Sequence, residues 1–397
     1  MSWTDPRSEI AALVEQLREI RHDIHRHPEL GFEEVRTQAL VRAWLEARGY
    51  RPRPCAETGL VADLRPDDPG PTIALRADLD GLPMQETTEL PYRSVHAGRA
   101  HKCGHDGHTA ILLGVADVLA RHREEVRGNV RLLFQPAEEG VRGGGAKVMV
   151  AEGALAGVRE VYGLHNWPAF PFGELRVKAG PMLAQVHTLS IAIHGKGGHG
   201  SQPQLCRDPI VAGAHLVTAL QTVVARGLGY AGGAVVSITQ FTAGTTHNVI
   251  PSAARLKGTI RTFEPSVTER VLERVREVVS GIAATFAVDI DLQIEVGYPV
   301  LMNDAGCAEA VARVGRAVLG DARVSSEGLP LAGGEDFAYF AQAAPAAYFF
   351  LGAGRGEGDT PVCHHPDFDF DDDLIPIGIE VMLGIVRDRL GALAPSA

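Results

Sequence analysis

Short branched or aromatic runs that alternate with helical stretches leave this chain few architectures. The runs Thr72 to Ala77, Val130 to Phe134, Val158 to Leu164 and Ala346 to Leu351 have the length of buried strands. Between them, Thr109 to Arg121 and Gly145 to Glu152 read as helices. Ahead of the first run, Ile10, Leu13, Leu17 and Ile20 recur at spacings of three and four, which predicts an amphipathic helix over Glu9 to Ile24. Alternation of this kind predicts an α/β fold, an open mixed sheet with helices on both faces.

From about His187 to Val296 the order changes. His187 to His194, Ala234 to Phe241, Ala254 to Phe263 and Val288 to Val296 read as strands, and Asp208 to Arg226 and Thr268 to Phe286 as helices. The order β-α-β-β-α-β is that of a ferredoxin-like α+β unit. We therefore expect an inserted domain over 185–297, splitting a larger domain into 1–184 and 298–397, with Ala346 to Leu351 rejoining the first sheet. The glycine-rich piece Gly352 to Gly358 reads as a loop. The acidic run Asp369 to Asp373 reads as a solvated loop or helix start without chemistry.

Composition narrows the class of partner. With 397 residues, 45% hydrophobic and 22% charged, the chain can bury substantial cores and is not disordered. Its net charge of −11 argues against a nucleic-acid backbone or an anionic membrane surface as partner. No apolar stretch approaches about 18 residues, and the N-terminal region carries charges throughout, so neither a membrane span nor an export signal is expected. Five widely spaced cysteines (55, 103, 206, 307 and 363) suit reduced thiols and a cytoplasmic location.

Open α/β sheets bind ligands beyond the carboxyl ends of their strands. Here the strand ends lead into Asp78-Leu79-Asp80, into Glu138-Glu139, to His165, and through the glycine loop to Cys363-His364-His365-Pro366. A fifth cluster, His101 to His108, precedes a helix and contains Cys103-Gly104-His105; His108 reads as a residue that caps or faces that helix. Thiol, imidazole and carboxylate are the ligand types of zinc and its borderline neighbours. One Cys-x-His pair alone is more often accidental than a ligand, and it is the convergence on one sheet edge that points to metal. Adjacent carboxylates at Glu138 and Glu139 allow one to bind metal and the other to take a proton from water. The tract Gly143-Gly144-Gly145 lacks the Lys-Ser/Thr ending of a phosphate loop.

The segments His25-Arg26-His27-Pro28-Glu29-Leu30-Gly31-Phe32-Glu33-Glu34, Ala74-Leu75-Arg76-Ala77-Asp78-Leu79-Asp80, Cys103-Gly104-His105-Asp106-Gly107-His108-Thr109, Gln135-Pro136-Ala137-Glu138-Glu139-Gly140 and Gly334-Glu335-Asp336-Phe337 closely resemble the amidohydrolase branch of the aminoacylase and glutamate-carboxypeptidase metallopeptidases, the branch of hippurate and indole-acetyl-amino-acid hydrolases. The resemblance implies hydrolysis of N-acyl-amino acids at a site for two divalent metals, zinc first, with manganese, cobalt or nickel as alternatives. It implies Cys103 as the shared ligand, with His105, Glu139, His165 and His364 completing both shells. Glu138 would be the general base and Asp78 the acid that orients a ligand. Arg76 stands where related branches have a ligand histidine, a vacancy that His105 would fill.

In the inserted domain the resemblance implies that His199 steadies the oxyanion and that Asn248 and Arg261 hold the substrate carboxylate. It further implies a lid that closes over the site and a homodimer formed through this domain. His187, Gln204 and Cys363 depart from the family pattern, where Asp, His and Leu are common. Two other readings of the residues stay open: Cys103 as a nucleophile of a thiol amidase, and a non-catalytic binder of acylated amino acids. Within the hydrolases, an N-acetyl-diaminopimelate deacetylase or a dipeptidase or carboxypeptidase of the same fold is the alternative.

Overall fold

The computed structural model describes residues 5–228, 233–356 and 361–391. It divides into two compact units, Met1–Met182 with Met302–Leu329 and Asp336–Ala397, and Leu183–Leu301 with Pro330–Glu335. The return of Pro330–Glu335 to the second unit is a feature that contiguous boundaries do not anticipate. Backbone pairing holds it there: Leu183 bridges Leu331, and Ala184 N–H donates to Gly333 O at 2.9 Å. Among the described residues no helix is long and apolar enough to cross a membrane.

The first unit is built on an eight-stranded mixed sheet. Its order is Arg53–Cys55, Gly59–Asp63, Asn129–Gln135, Thr72–Asp78, Val158–Pro171, Ala346–Gly354, Leu175–Arg176, Val324–Ser325. The four central strands run parallel, so their carboxyl ends share one edge. Strand alternation divides the side chains between two layers. Ile73, Leu75, Ala77, Leu132 and Phe134 face one way, into a core shared with the helices Arg7–Arg26, His105–Arg121 and Leu374–Leu390. The short helices Gly145–Ala151 and Ala338–Ala343 pack against the sheet as well. At the foot of Ala338–Ala343, Phe337 stacks within 5.1 Å of Tyr348 and against Gly163, where a Cβ would lie 2.7 Å from the phenylalanine ring. Ala346–Gly354 extends three residues beyond the expected strand, so the start of the glycine-rich piece is strand, and 357–360 lie outside the described residues.

Arg76 is fully buried on Thr72–Asp78. Its guanidinium donates to Gln135 Oε1 at 2.7 Å and to Asp78 Oδ2 at 2.6 Å, and approaches Asp336 Oδ1 at 3.4 Å. An arginine in the place of a ligand histidine is thus a structural cation that offsets two buried carboxylates.

The acidic run also has a task beyond solvation. Asp369 and Asp372 grip the fully buried Arg21 at 3.0 and 2.7 Å, and Asp373 immediately precedes the helix Leu374–Leu390. Next to Arg21 on the same helix, His25 Nδ1 meets Asp106 Oδ2 at 2.9 Å and His25 Nε2 meets Glu86 Oε1 at 3.2 Å. Burial pulls the His25 pKa down, but its hydrogen bonds to Asp106 and Glu86 win and push it up from 6.5 to about 9. A raised histidine pKa stabilises the fold fully below about 6.5, and the contribution is lost as pH rises through about 9. We therefore expect His25→Gln to cost on the order of 3 kcal/mol more at low pH than at high pH. Denaturant unfolding of both proteins at about pH 6 and pH 10 checks this; an equal gap at both would refute it.

In the second unit the sheet order is Ala234–Ala243, Ala253–Thr262, Gln185–His194, Asp289–Val296, antiparallel throughout. Leu189, Ile191, Ile193, Leu256 and Ile260 pack beneath Leu216, Leu220, Val271 and Val275 of the helices Pro209–Ala225 and Pro265–Phe286. This is the ferredoxin-like arrangement that the element order predicts.

Candidate metal centre

Register places the first polar groups. Arg76 pairs with Gly163, so Asp78 is level with His165, while Asp78 itself pairs with Gln135, three residues before Glu138. Phe350 of the neighbouring strand lies opposite His165. Cys103 and His105 arrive from the turn that begins the helix His105–Arg121. Gly104 makes that turn at φ +102°, where a Cβ would come within 2.1 Å of Asn166 Oδ1. His364 approaches from the C-terminal segment, its N–H donating to Lys102 O at 2.6 Å.

These side chains converge. Potential ligand atoms of Cys103, His105 and His165 lie within 4.8 Å of one another, as do those of Cys103, Glu139 and His364 and those of His105, Glu138 and Glu139. Cys103 Sγ is 3.3 Å from His165 Nε2, and His364 Nε2 is 3.1 Å from Glu139 Oε1. Cys103 thus belongs to two three-ligand groups.

Two features test whether this set suits a cation. His105 Nε2 is buried without a hydrogen-bond partner, and Glu139 Oε1, 4.0 Å away, has the His364 imidazole at 3.1 Å but no hydrogen bond of proper geometry. Buried polar atoms without hydrogen bonds are costly, and a cation held among these side chains would satisfy both. The tautomers agree. His105 Nδ1 lies 2.9 Å from the carbonyl of Asp80 and His165 Nδ1 2.6 Å from that of Asn166. A carbonyl only accepts, so both Nδ1 atoms carry a proton and both Nε2 atoms face inward, the side a cation would use. The donor set fits a borderline divalent metal.

Without a cation, burial and the neighbouring acids set the protonation of these groups. Its hydrogen bond with Cys363, then burial and the charge of Glu139, push the Cys103 thiol well above its usual range. A free thiolate is disfavoured there, as nucleophile or as ligand, until a cation offsets the neighbouring acids. Burial holds His165 well below its ordinary value and therefore neutral. His105 is disfavoured as a cation by burial, yet Asp78, Asp80 and Glu139 push it up to about 10.

Asp78 and His108 depart from the expected arrangement. His108 does not cap the helix. It is buried in the first turn, its Nδ1 2.7 Å from Asp78 Oδ1 and its Nε2 2.7 Å from Asn166 Oδ1. Asp78 is ionised: burial opposes this, but Arg76, His105 and His108 prevail. It stands 3.7 Å from His105 Nε2, whereas the acid at His105 Nδ1 is Asp80, with Oδ1 at 3.2 Å. Asp80 stands at a strand end in the sequence but had no role assigned to it, because an acid two residues beyond Asp78 carries no separate signal.

The second unit holds the remaining residues. His199 pairs with Val249 in the small ribbon Gly198–His199 with Val249–Ile250. Its Nδ1 accepts from Ser201 N–H at 3.1 Å, which leaves the exposed Nε2 as an N–H donor. Ser201 had no signal of its own in the sequence. Asn248 is exposed, and its carbonyl accepts from Gly200 N–H at 2.9 Å. Arg261 is half-buried, with Nη1 lacking a hydrogen-bond partner.

The model of peptidase family M20/M25/M40 matches residues 74–388. The N-acetylcysteine deacetylase of Bacillus subtilis is 40% identical over 368 residues, covering 91% of this chain and 93% of the relative. The hippurate hydrolase of Campylobacter jejuni is 37% identical, covering 92% and 94%. A crystal structure of a dinuclear metal-binding M20 peptidase of Bacillus subtilis superimposes with a TM-score of 0.82 at 34% identity, covering 96% of this chain and all of that one (100%).

Proposed function

The chain belongs to peptidase family M20/M25/M40, and from that premise we propose that it is a metal-dependent amidohydrolase of N-acyl-amino acids, releasing a carboxylic acid and an amino acid. One observation carries the reading: the potential ligand atoms of Cys103, His105, Glu139, His165 and His364 converge in overlapping groups of three, with Glu138 beside them. These five residues would hold two divalent ions, zinc by the softness of thiolate and imidazole. Such ions, when bound, polarise a scissile carbonyl and lower the pKa of the attacking water.

The chain's own residues supply the rest. Glu138 takes a proton from the attacking water and delivers it to the departing nitrogen. Asp78 holds His108 and stays ionised beside His105. His199, through Nε2–H, donates to the oxyanion, and Asn248 and Arg261 hold the substrate carboxylate. Turnover of a panel of N-acyl-amino acids by the metal-loaded enzyme tests the reading. Dipeptides and N-acetyl-diaminopimelate in the same panel separate the alternatives, and binding without turnover of any of these compounds would leave only a binder. For Arg261→Ala we expect KM to rise by roughly 10-fold or more with kcat nearly kept, because the carboxylate contact is made before and during reaction alike. An unchanged KM would remove Arg261 from the site.

The inserted unit would also pair two copies of the chain. Ala234–Ala243 is bonded to a neighbour on one side only and exposes Val235 and Phe241. Light scattering that finds only monomers would overturn this. Free thiols at all five cysteines suit the reducing cytoplasm.

A further inference from the structure

Three consecutive backbone N–H groups end on buried carboxylates. Ala137 donates to Glu34 Oε1 at 2.8 Å, Glu138 to Asp80 Oδ1 at 3.0 Å and Glu139 to Asp80 Oδ2 at 3.0 Å. Asp80 and Glu34 are almost wholly enclosed. Ala137 sits at φ +53°, a left-handed conformation that a residue with a Cβ holds only when its surroundings impose it. Asp80 is itself anchored on both sides. Gly81 N–H donates to Glu29 O at 2.8 Å, and Leu82 exchanges backbone bonds with Ala100 at 2.9 and 3.1 Å. Glu29 in turn accepts the Arg36 and Thr37 N–H groups at 2.8 Å each, at the start of the helix Val35–Glu46. The His-Pro-Glu-Leu segment therefore buttresses the turn that carries the two glutamates.

We propose that Asp80 is the positioning residue of the metal centre. Its two carboxylate oxygens fix the backbone of Glu138 and Glu139, and its Oδ1 and carbonyl together fix the tautomer of His105. One side chain thereby sets the spacing between base, carboxylate ligand and imidazole ligand. Charge-assisted bonds to N–H groups are strong and directional, and oriented ligands of this kind depend on their outer partners. The proposal rests on the roles given to Glu138, Glu139 and His105 above.

The test is Asp80→Asn, which keeps the shape but turns an NH2 group toward one of the N–H donors. In the cobalt-loaded enzyme we expect kcat to fall 10- to 100-fold with KM within about threefold, chelator competition to show metal affinity weakened 10- to 100-fold, and the cobalt absorption bands to move. Leu79→Ala, a core truncation next to Asp80, controls for stability: it lowers the melting temperature while kcat and the cobalt spectrum hold. Asp80→Asn with wild-type kcat, metal affinity and spectrum would overturn the proposal. So would a loss that merely follows the melting temperature as in Leu79→Ala.

If Asp80→Asn does not fold, amide hydrogen exchange of the wild-type protein decides. Bonds to Asp80 require the Glu138 and Glu139 N–H groups to be protected, and exchange at open-loop rates would refute the proposal. Failure of the underlying reading looks different: Glu138→Gln would turn over normally while the spectral shift of Asp80→Asn persisted.

Discussion

Glu138→Ala is expected to keep both metals and lose about a thousandfold or more in kcat. The two parts of that expectation have separate causes. The proposed ligands are Cys103, His105, Glu139, His165 and His364, so removal of the Glu138 carboxylate leaves every donor in place. Its Oε2 stands 3.9 Å from His105 Nε2, close enough to reach a water at the centre, while its backbone is held by Asp80. General bases contribute about 10²- to 10⁴-fold, and this one would act twice, on the water and on the leaving nitrogen. Metal analysis of the purified variant and single-substrate kinetics check both halves. Normal turnover would strip Glu138 of its role; loss of metal together with activity would make it a ligand.

What could be read beforehand follows from how each signal arises. Strands such as Thr72–Asp78 and Asn129–Gln135 are short, continuous apolar runs, and these announce themselves. Helix Leu374–Leu390 did not, because Leu374, Ile379, Val381, Met382, Leu383 and Ile385 are buried with little regard to face, and a helix enclosed all round shows no amphipathic period. Ligand-type residues were legible because cysteine, histidine and paired glutamates at strand ends are rare by chance. Their supporting shell was not. Asp80, Glu34, Arg21 and His25 owe their roles to partners 25 to more than 300 positions away, such as Asp80 with His105 and Arg21 with Asp369, and nothing in local spacing encodes such pairings. Cys363 was legible as a departure from the family pattern, but its contact with the Cys103 carbonyl at 3.7 Å required the fold.

Removal of metal should abolish activity, lower the melting temperature by several degrees and expose Cys103 to alkylation, with all three reversed by adding zinc. Without cations, Glu138, Glu139, Asp78 and Asp80 crowd one buried volume beside His105, His108 and Arg76. Divalent ions both offset that charge and use His105 Nε2, which has no hydrogen-bond partner, with Glu139 Oε1 beside it, so they bind the folded chain far better than the unfolded one. At free metal 100-fold above Kd the gain is about 2.7 kcal/mol, large against typical net stabilities. Thiol chemistry separates this from the nucleophile reading. If Cys103 is a ligand, iodoacetamide at alkaline pH inactivates the chelated protein faster than the metal-loaded protein. If Cys103 is a nucleophile, chelators change nothing and alkylation inactivates at one rate with or without metal. The second pattern would overturn the metal centre, because a thiolate bound to a cation is blocked from alkylation and one that binds no cation is indifferent to chelators.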